Sequence, residues 1–359
     1  MKRIGIALSG GIDSAVAGFL LKEKKYPLVG FFMKIWKDSP EREERAKRVA
    51  QILNIPFYVI NLEKEFKEMV VDYLLKRYSE GITPNPCVIC NKEIKFNLFL
   101  MKALEKKIEF LATGHYAKRV KDKKRKIFKL MRPKDKKRDQ SYFLWTLTQS
   151  QLEKILFPLG NLKKERIKEI AKKTKLSFLA KFKTSTDLCF IKGNFEGFLK
   201  ENLKGESGLM VEETKEENKK EKILKIGKRK FKILGKHQGL AFYTIGQRRG
   251  LFLSGGPYYV KEKDLKHNLL IVTKDEKEIY KKELFFTNFN WISGKAPTFP
   301  KTVKAKIRYL HRMATAKIFK IRGSLYKLIF KKPQRAITPG QSVVFYQKDE
   351  VLGGGIIVK

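Results

Sequence analysis

Arg3-Ile4-Gly5-Ile6-Ala7-Leu8-Ser9-Gly10-Gly11-Ile12-Asp13-Ser14 opens the chain and decides its first fold. The apolar run ending at Leu8 has the length of a buried strand, and Gly10-Gly11 breaks it. Ala15-Val16-Ala17-Gly18-Phe19-Leu20-Leu21 then begins a helix. A strand, a glycine turn and a helix N-terminus make an anion site, because free backbone N–H groups and the helix dipole both favour negative charge there. The glycines let the backbone approach phosphate oxygens, and Ser9 and Ser14 add hydroxyl donors. No G-x-x-x-x-G-K-[ST] is present, so this is not a Walker A loop.

Working outward, strand and helix patterns alternate. Residues 3–8, 27–33, 57–60 and 108–113 read as strands; 14–24, 40–53, 63–78 and 92–107 read as helices. Such alternation predicts an α/β unit with a parallel sheet covered by helices on both faces. Ligands in such sheets sit at the carboxyl ends of the strands, where Ser9, Met33 and Gly114 fall. Residues 118–138 form a basic insertion around a short strand, Ile127–Met131, fit either to grip phosphate or to stand as a solvated hairpin. Further helices are predicted at 149–156 and 163–174. Beyond about residue 200 the pattern becomes short strands with turn signals, as in Gly255-Gly256-Pro257 and Thr338-Pro339-Gly340, with 212–222 reading as a solvated Lys/Glu loop. Alternation in 302–307, 317–321 and 342–346 marks strands of a second β unit. The expected division is 1–200 for the catalytic unit, 201–283 for a small central β module and 284–359 for a C-terminal β-barrel.

The 359 residues include 80 Lys and Arg against 37 Asp and Glu, a net charge of +43. That balance calls for a polyanionic partner, with nucleic acid ahead of a membrane surface because no long basic amphipathic helix stands out. No apolar run has the ~20 residues needed to span a bilayer. The first strand begins directly after Met1-Lys2, which leaves no room for a signal peptide. Three cysteines, an odd number, then point to thiol chemistry in a reducing cytoplasm rather than to a disulfide scaffold.

Ser9-Gly10-Gly11-Ile12-Asp13-Ser14 resembles the PP-loop of ATP pyrophosphatases, the adenine nucleotide alpha hydrolase-like enzymes that split ATP into AMP and pyrophosphate. Further stretches narrow the likeness. They are Asn85-Pro86-Cys87-Val88-Ile89-Cys90, Ala112-Thr113-Gly114-His115-Tyr116, Arg138-Asp139-Gln140-Ser141 and Ser185-Thr186-Asp187-Leu188-Cys189-Phe190. With Tyr243-Thr244-Ile245-Gly246-Gln247-Arg248-Arg249-Gly250-Leu251 they resemble the bacterial tRNA 2-thiouridylases, in family order and over nearly the whole chain. The resemblance implies ATP-dependent 2-thiolation of the wobble uridine in tRNAs for lysine, glutamate and glutamine. Adenylation of the 2-carbonyl oxygen turns a poor leaving group into AMP. ATP would be held by Ala7, Leu8, Ser9, Gly10, Gly11, Ile12, Asp13, Ser14, Met33 and Gly114, with Mg²⁺ shielding the pyrophosphate.

By the same resemblance Cys189 would carry a persulfide received from a cysteine desulfurase or a sulfur-relay protein. Cys90 would attack it, either releasing hydrosulfide or completing transfer to the activated base, and leave a Cys90–Cys189 disulfide. Thiolate is the reacting form, so nearby Lys92, Lys95, Lys181 and Lys183 are expected to lower both thiol pKa values. Taken singly, Cys189 between two apolar residues also suits an inert buried thiol. Many relatives carry Asp where this chain has Cys87. Cys87, Cys90 and Cys189 could therefore instead ligate an iron–sulfur cluster with one iron open to sulfide. Both routes end in the same product. No second C-x-x-C is available to complete a zinc ribbon.

The resemblance also implies tRNA contacts. Asn85, Pro86, Cys87, Arg138, Asp139 and Gln140 would meet the target base, and His115, Arg308, Tyr309 and Gln341 would contribute. Tyr309 suits stacking on an unpaired base, and the wobble base must leave its stack to reach ATP. Two other classes compete with this reading: a PP-loop ligase acting on small molecules, and an RNA-binding protein without chemistry. The cysteines and the basic β-rich half argue against the first; the intact loop and all three thiols argue against the second.

Overall fold

The computed structural model describes residues 2–182, 188–191, 193–215 and 222–358. Strand β1 (Ile4–Ala7) pairs on both sides because its apolar residues are buried on both faces. β2 (Leu28–Lys34) lies on one flank and β3 (Phe57–Asn61) beyond it; β4 (Phe110–Ala112) lies on the other. Ile4 is opposite Leu28 on one side and Phe110 on the other, both in parallel register. The chain next forms a hairpin, β5 (Lys118–Asp122) and β6 (Ile127–Met131), which leaves this sheet. β7 (Ile155–Leu156) then adds a fifth parallel strand beside β4. The order β3-β2-β1-β4-β7 changes direction between β1 and β4, which opens a crevice at their carboxyl ends.

Helix α1 (Ile12–Glu23) starts in that crevice. Gly10 has φ +73°, and a Cβ there would lie 2.4 Å from the Arg42 carbonyl oxygen in α2 (Pro40–Ile52). Only glycine suits both the left-handed backbone and that approach. Gly114 follows β4, and a Cβ on it would lie 2.8 Å from the Ser14 amide nitrogen.

Two helical segments carry wide π-type turns. One runs through Glu63–Phe66, Lys67–Asp72 and Tyr73–Ser79; the other through Pro86–Ile89, Cys90–Leu98 and Phe99–Leu104. The second starts earlier than its apolar spacing predicts. Asn85 caps it by accepting from the Val88 amide, and Pro86 sits at the first helical position.

Beyond a short helix, Phe195–Asn202, lies a second sheet. β8 (Gly208–Thr214), β9 (Ile223–Ile226), β10 (Arg229–His237), β11 (Tyr259–Asp264) and β12 (Leu269–Thr273) pair in the order β11-β12-β8-β10-β9. Glu212–Thr214 are therefore strand and not loop: Glu213 faces Phe231, and its carboxylate binds Arg229 and Lys261. Residues 216–221 of the expected loop lie outside the described residues.

β13 (Tyr280–Trp291) runs through Leu284. With β14 (Lys301–Lys306), β15 (Ala314–Arg322), β16 (Leu325–Arg335), β17 (Ser342–Gln347) and β18 (Glu350–Ile357) it closes a barrel, since β13 pairs with both β16 and β18. The hairpin β5–β6 is tied to this barrel: Leu130 pairs with Val351, and Lys129 lies 2.8 Å from Asp122 and 3.6 Å from Glu350. Its strands are docked, while Lys123, Lys124 and Lys126 at the tip stay exposed. Tyr142 and Trp145 add two further ties by donating to Ser342, at 2.9 and 3.0 Å. Buried hydrogen bonds of this kind contribute about 1 kcal/mol each, so barrel and parallel-sheet unit hold each other in place.

Candidate active site

A cavity of about 330 Å³ occupies the crevice. All ten residues expected at ATP line it: Ala7, Leu8, Ser9, Gly10, Gly11, Ile12, Asp13, Ser14, Met33 and Gly114. The loop is braced from within. Ser14 Oγ donates to the Gly11 carbonyl at 3.0 Å and accepts from the Ser9 amide at 3.1 Å. Phe31, Ile35, Phe99 and Leu111 give the cavity apolar walls fit for a flat base. Thr113, from the quoted Ala112–Tyr116 stretch, also lines it, as do Arg42 and Arg45, which nothing in their sequence spacing marks. Helical placement one turn into α2 brings both arginines to the loop, where Arg45 Nε donates to the Gly10 carbonyl at 3.1 Å.

Asp13 is the one carboxylate among the described lining residues. Lys164 Nζ donates to both its oxygens, at 2.6 and 2.8 Å, and the Tyr116 hydroxyl donates at 2.6 Å. Among the described residues Oδ2 accepts only the longer lysine bond, which leaves a lone pair for a divalent cation already carried by phosphates. A Mg²⁺ held mainly by ATP fits such a site, since Mg²⁺ takes one or two carboxylates beside phosphates.

Cys189 lines the same cavity and is exposed. Cys90 is buried and Cys87 half-buried, one helical turn apart on one face, and all three are free thiols. The expected lowering of the Cys90 pKa does not occur: burial pushes it up to about 12, and Lys95 offsets only part of that. Burial likewise raises Cys87 to about 11, with Cys189 raising it further and Lys95 opposing. Lys95 also lines the cavity, whereas Lys92 is engaged with Glu93 at 2.7 Å. Lys183, Ser185, Thr186 and Asp187 lie outside the described residues. Among the described residues no three His, Cys, Asp or Glu side chains converge to hold a single metal ion.

The residues expected at tRNA divide into two groups. His115 and Gln140 line the cavity. His115 Nδ1 lies 2.9 Å from Thr113 Oγ1, and burial, with Lys95 adding to it, holds its pKa well below the usual histidine value. The imidazole is therefore neutral at pH 7. Gln140 Oε1 accepts from the Tyr116 amide at 2.9 Å. Arg138 is exposed. Asp139 is buried, with its carboxylate on Arg132 Nε at 2.6 Å and on the Ser141 amide and hydroxyl at 3.0 and 2.6 Å. It shapes the turn that presents Arg138 and Gln140.

Asn85, Pro86, Arg308, Tyr309 and Gln341 lie off the cavity wall. Gln341 Nε2 donates to the Thr83 and Pro84 carbonyls. Arg308 donates to the Ile245 and Ala336 carbonyls, at 2.9 and 3.0 Å, and so clamps the central module to the barrel. Tyr309 packs on Phe143 with ring centroids 4.5 Å apart.

Among the described residues no helix is long and apolar enough to cross a membrane.

Comparisons with known proteins agree with this layout. Three family models match in succession: a tRNA methyl transferase HUP domain over residues 2–193, a tRNA methyl transferase PRC-barrel domain over 196–274, and an aminomethyltransferase beta-barrel domain over 281–357. The chain is 42% identical, over 99% of its own length and 97% of the relative's, to the tRNA-specific 2-thiouridylase MnmA 2 of Thermoanaerobacter sp. (strain X514). It is 41% identical, over 100% and 98%, to the tRNA-specific 2-thiouridylase MnmA of Clostridioides difficile (strain 630). A solved U34-tRNA thiolase with a [4Fe-4S] cluster, from Methanococcus maripaludis, is similar over 48% of this chain and 57% of its own at 19% identity. Its TM-score of 0.31 is too low to bear on the cysteines here.

Proposed function

This chain belongs to the tRNA-specific 2-thiouridylase family, and on that premise we propose how its residues divide the work. It is an ATP-dependent tRNA sulfurtransferase. Its product is 2-thiouridine at the wobble position of tRNAs for lysine, glutamate and glutamine, with AMP and pyrophosphate released. ATP occupies the cavity, its phosphates on the Ser9–Ser14 backbone and its base against Met33 and the apolar wall. Asp13, with the phosphates, would hold Mg²⁺, which would supply charge shielding for the departing pyrophosphate.

Cys189 carries the sulfur. The supporting observation is its position: it is exposed, where a donor protein can reach it, and it lines the cavity that adenylation requires. Cys189 Sγ, as thiolate, attacks the terminal sulfur of a persulfide on the donor; the donor's S–S bond breaks, the donor leaves as a thiol, and Cys189 carries Sγ–S–H. Cys90 Sγ, as thiolate, attacks Cys189 Sγ; the new Cys90–Cys189 disulfide forms as the persulfide bond breaks. Hydrosulfide leaves with the electron pair, attacks C2 of the adenylated uridine and expels AMP. A thiol reductant then reopens the disulfide. Gln140 and His115 orient the flipped base, and Arg138, Arg308 and Tyr309 hold the surrounding anticodon.

The test is Cys189→Ser on iron-free, anaerobically purified protein, given tRNA, ATP and a persulfide donor. Thiolation should be lost while tRNA-dependent pyrophosphate release, which reports adenylation, persists. Substantial residual thiolation would remove Cys189 from the sulfur path, and activity that requires stoichiometric iron would replace the persulfide route.

A further inference from the structure

The loop that suits phosphates also presents a carboxylate to them. Asp13 lines the cavity, and an uncompensated carboxylate there would repel a triphosphate. Lys164 is placed to cancel it. It opens the helix Lys164–Lys172 and is only 5% exposed. Its amide donates to Asp135 Oδ2 at 3.0 Å, which fixes where the helix begins. Its ammonium reaches inward to both Asp13 oxygens, at 2.6 and 2.8 Å. It lies 5.9 Å from the centroid of the Tyr116 ring, whose hydroxyl shares Asp13 Oδ1.

A buried ammonium is costly unless it is paired. Lysine side chains ordinarily reach outward to water. Lys164 does the opposite, and Asp13 is the group it meets. Lys164 does not itself line the cavity, so it acts through Asp13 rather than on the substrate.

We infer that Lys164 is a positioning residue that makes the phosphate loop compatible with a triphosphate, by neutralising Asp13 and holding both its oxygens. The inference rests on ATP binding in this cavity. It carries a signature that a purely structural lysine lacks: a divalent cation arriving with ATP supplies the same counter-charge, so removing Lys164 should matter most when no such cation is present.

The experiment is calorimetric titration of the full chain with ATP, once in excess EDTA and once in saturating Mg²⁺. Lys164→Met should weaken ATP binding about tenfold or more in EDTA but no more than about threefold in Mg²⁺. Lys164→Arg, which keeps the charge, should recover part of the loss. Asp13→Asn combined with Lys164→Met removes both charges and should bind ATP in EDTA within about threefold of the parent. Equal losses in the two media, or a double variant no better than Lys164→Met, would overturn the inference. If Lys164→Met does not fold, the double variant decides alone, by the same threefold criterion. A parent protein that fails to bind ATP even in Mg²⁺ would instead overturn the ATP reading of the cavity, and this inference with it.

Discussion

Gln341 donates from Nε2 to the carbonyl oxygens of Thr83 and Pro84, at 2.9 and 3.3 Å. A barrel residue thereby holds the segment that leads into the helix of Cys87 and Cys90. The approach is close: Gly340 has φ +90°, and a Cβ there would lie 2.4 Å from Ile82 Cγ2. The Thr83 amide returns a bond to the Pro339 carbonyl at 3.2 Å. The barrel is thus a brace for the segment that leads into the thiols.

Gln341→Ala should therefore slow thiolation more than it weakens tRNA. Two partly exposed bonds are lost, together about 1–2 kcal/mol, and the start of the cysteine helix loosens. Single-turnover thiolation is expected to fall several-fold, with the Kd for tRNA changed by less than threefold and the Kd for ATP unchanged. A large loss of tRNA affinity with normal single-turnover rate would make Gln341 a direct RNA contact instead.

Gly114→Ala should damage ATP binding selectively. The added Cβ would lie 2.8 Å from the Ser14 amide and 3.0 Å from the Asp13 carbonyl carbon. Both belong to backbone at the start of α1, which cannot move aside as a side chain would. The phosphate loop must shift, so ATP affinity should fall by at least tenfold in equilibrium binding. Overall tRNA affinity, carried mostly by phosphate contacts outside the cavity, should fall by less than about threefold, although His115 beside Gly114 belongs to the base pocket. Unchanged ATP affinity would put the phosphates elsewhere.

Four strands of the parallel sheet were readable because each is a local apolar run, and their alternation with helices implies the crossover topology. The fifth, Ile155–Leu156, reads instead as the end of a helix over 149–156, because two residues carry no period of their own. The phosphate loop was readable for the same reason: its parts are contiguous. Other features depend on distant partners. β5–β6 reads as a charged insertion until Leu130 meets Val351, and no local signal marks that pairing. Lys164 is one lysine among many until it meets Asp13, and Arg42 and Arg45 look like the solvated face of a charged helix. The helix Phe195–Asn202 is short and interrupted by Gly197, which hides its period. The expected lowering of the Cys90 pKa failed for a different reason. Neighbouring lysines are visible in sequence, but the depth of burial that outweighs them is not.

Binding of tRNA should weaken steeply with salt. A net charge of +43 on 359 residues, with Lys123, Lys124 and Lys126 exposed at the hairpin tip, favours many phosphate contacts. Affinity is expected to fall by roughly a thousandfold between about 50 and 200 mM salt, as condensed counterions are released. Replacing the three hairpin lysines by alanine should lower the slope of log Kd against log salt by about one to three. A slope unchanged by that replacement would take the hairpin off the RNA path.

Cys90 gives the reaction a pH signature. Burial holds its thiol up to about 12, so at pH 7 it is almost wholly protonated despite Lys95. Only the thiolate attacks, and below its pKa the thiolate fraction rises about tenfold for each pH unit. If attack on the Cys189 persulfide limits the rate, single-turnover thiolation from preloaded persulfide should climb with a slope near one in log rate from pH 7 to 9. His115 is already neutral across that range and contributes no titration of its own. Lys95→Gln removes the one cation among the described residues that lowers the Cys90 value, so it should reduce the rate at each pH without flattening the slope. A rate independent of pH, with Cys90→Ser still inactive, would mean that tRNA or ATP binding exposes Cys90 and drops its pKa before sulfur transfer. A rate that is pH-independent and survives Cys90→Ser would mean that the terminal sulfur attacks the base directly, leaving Cys90 outside the rate-limiting step.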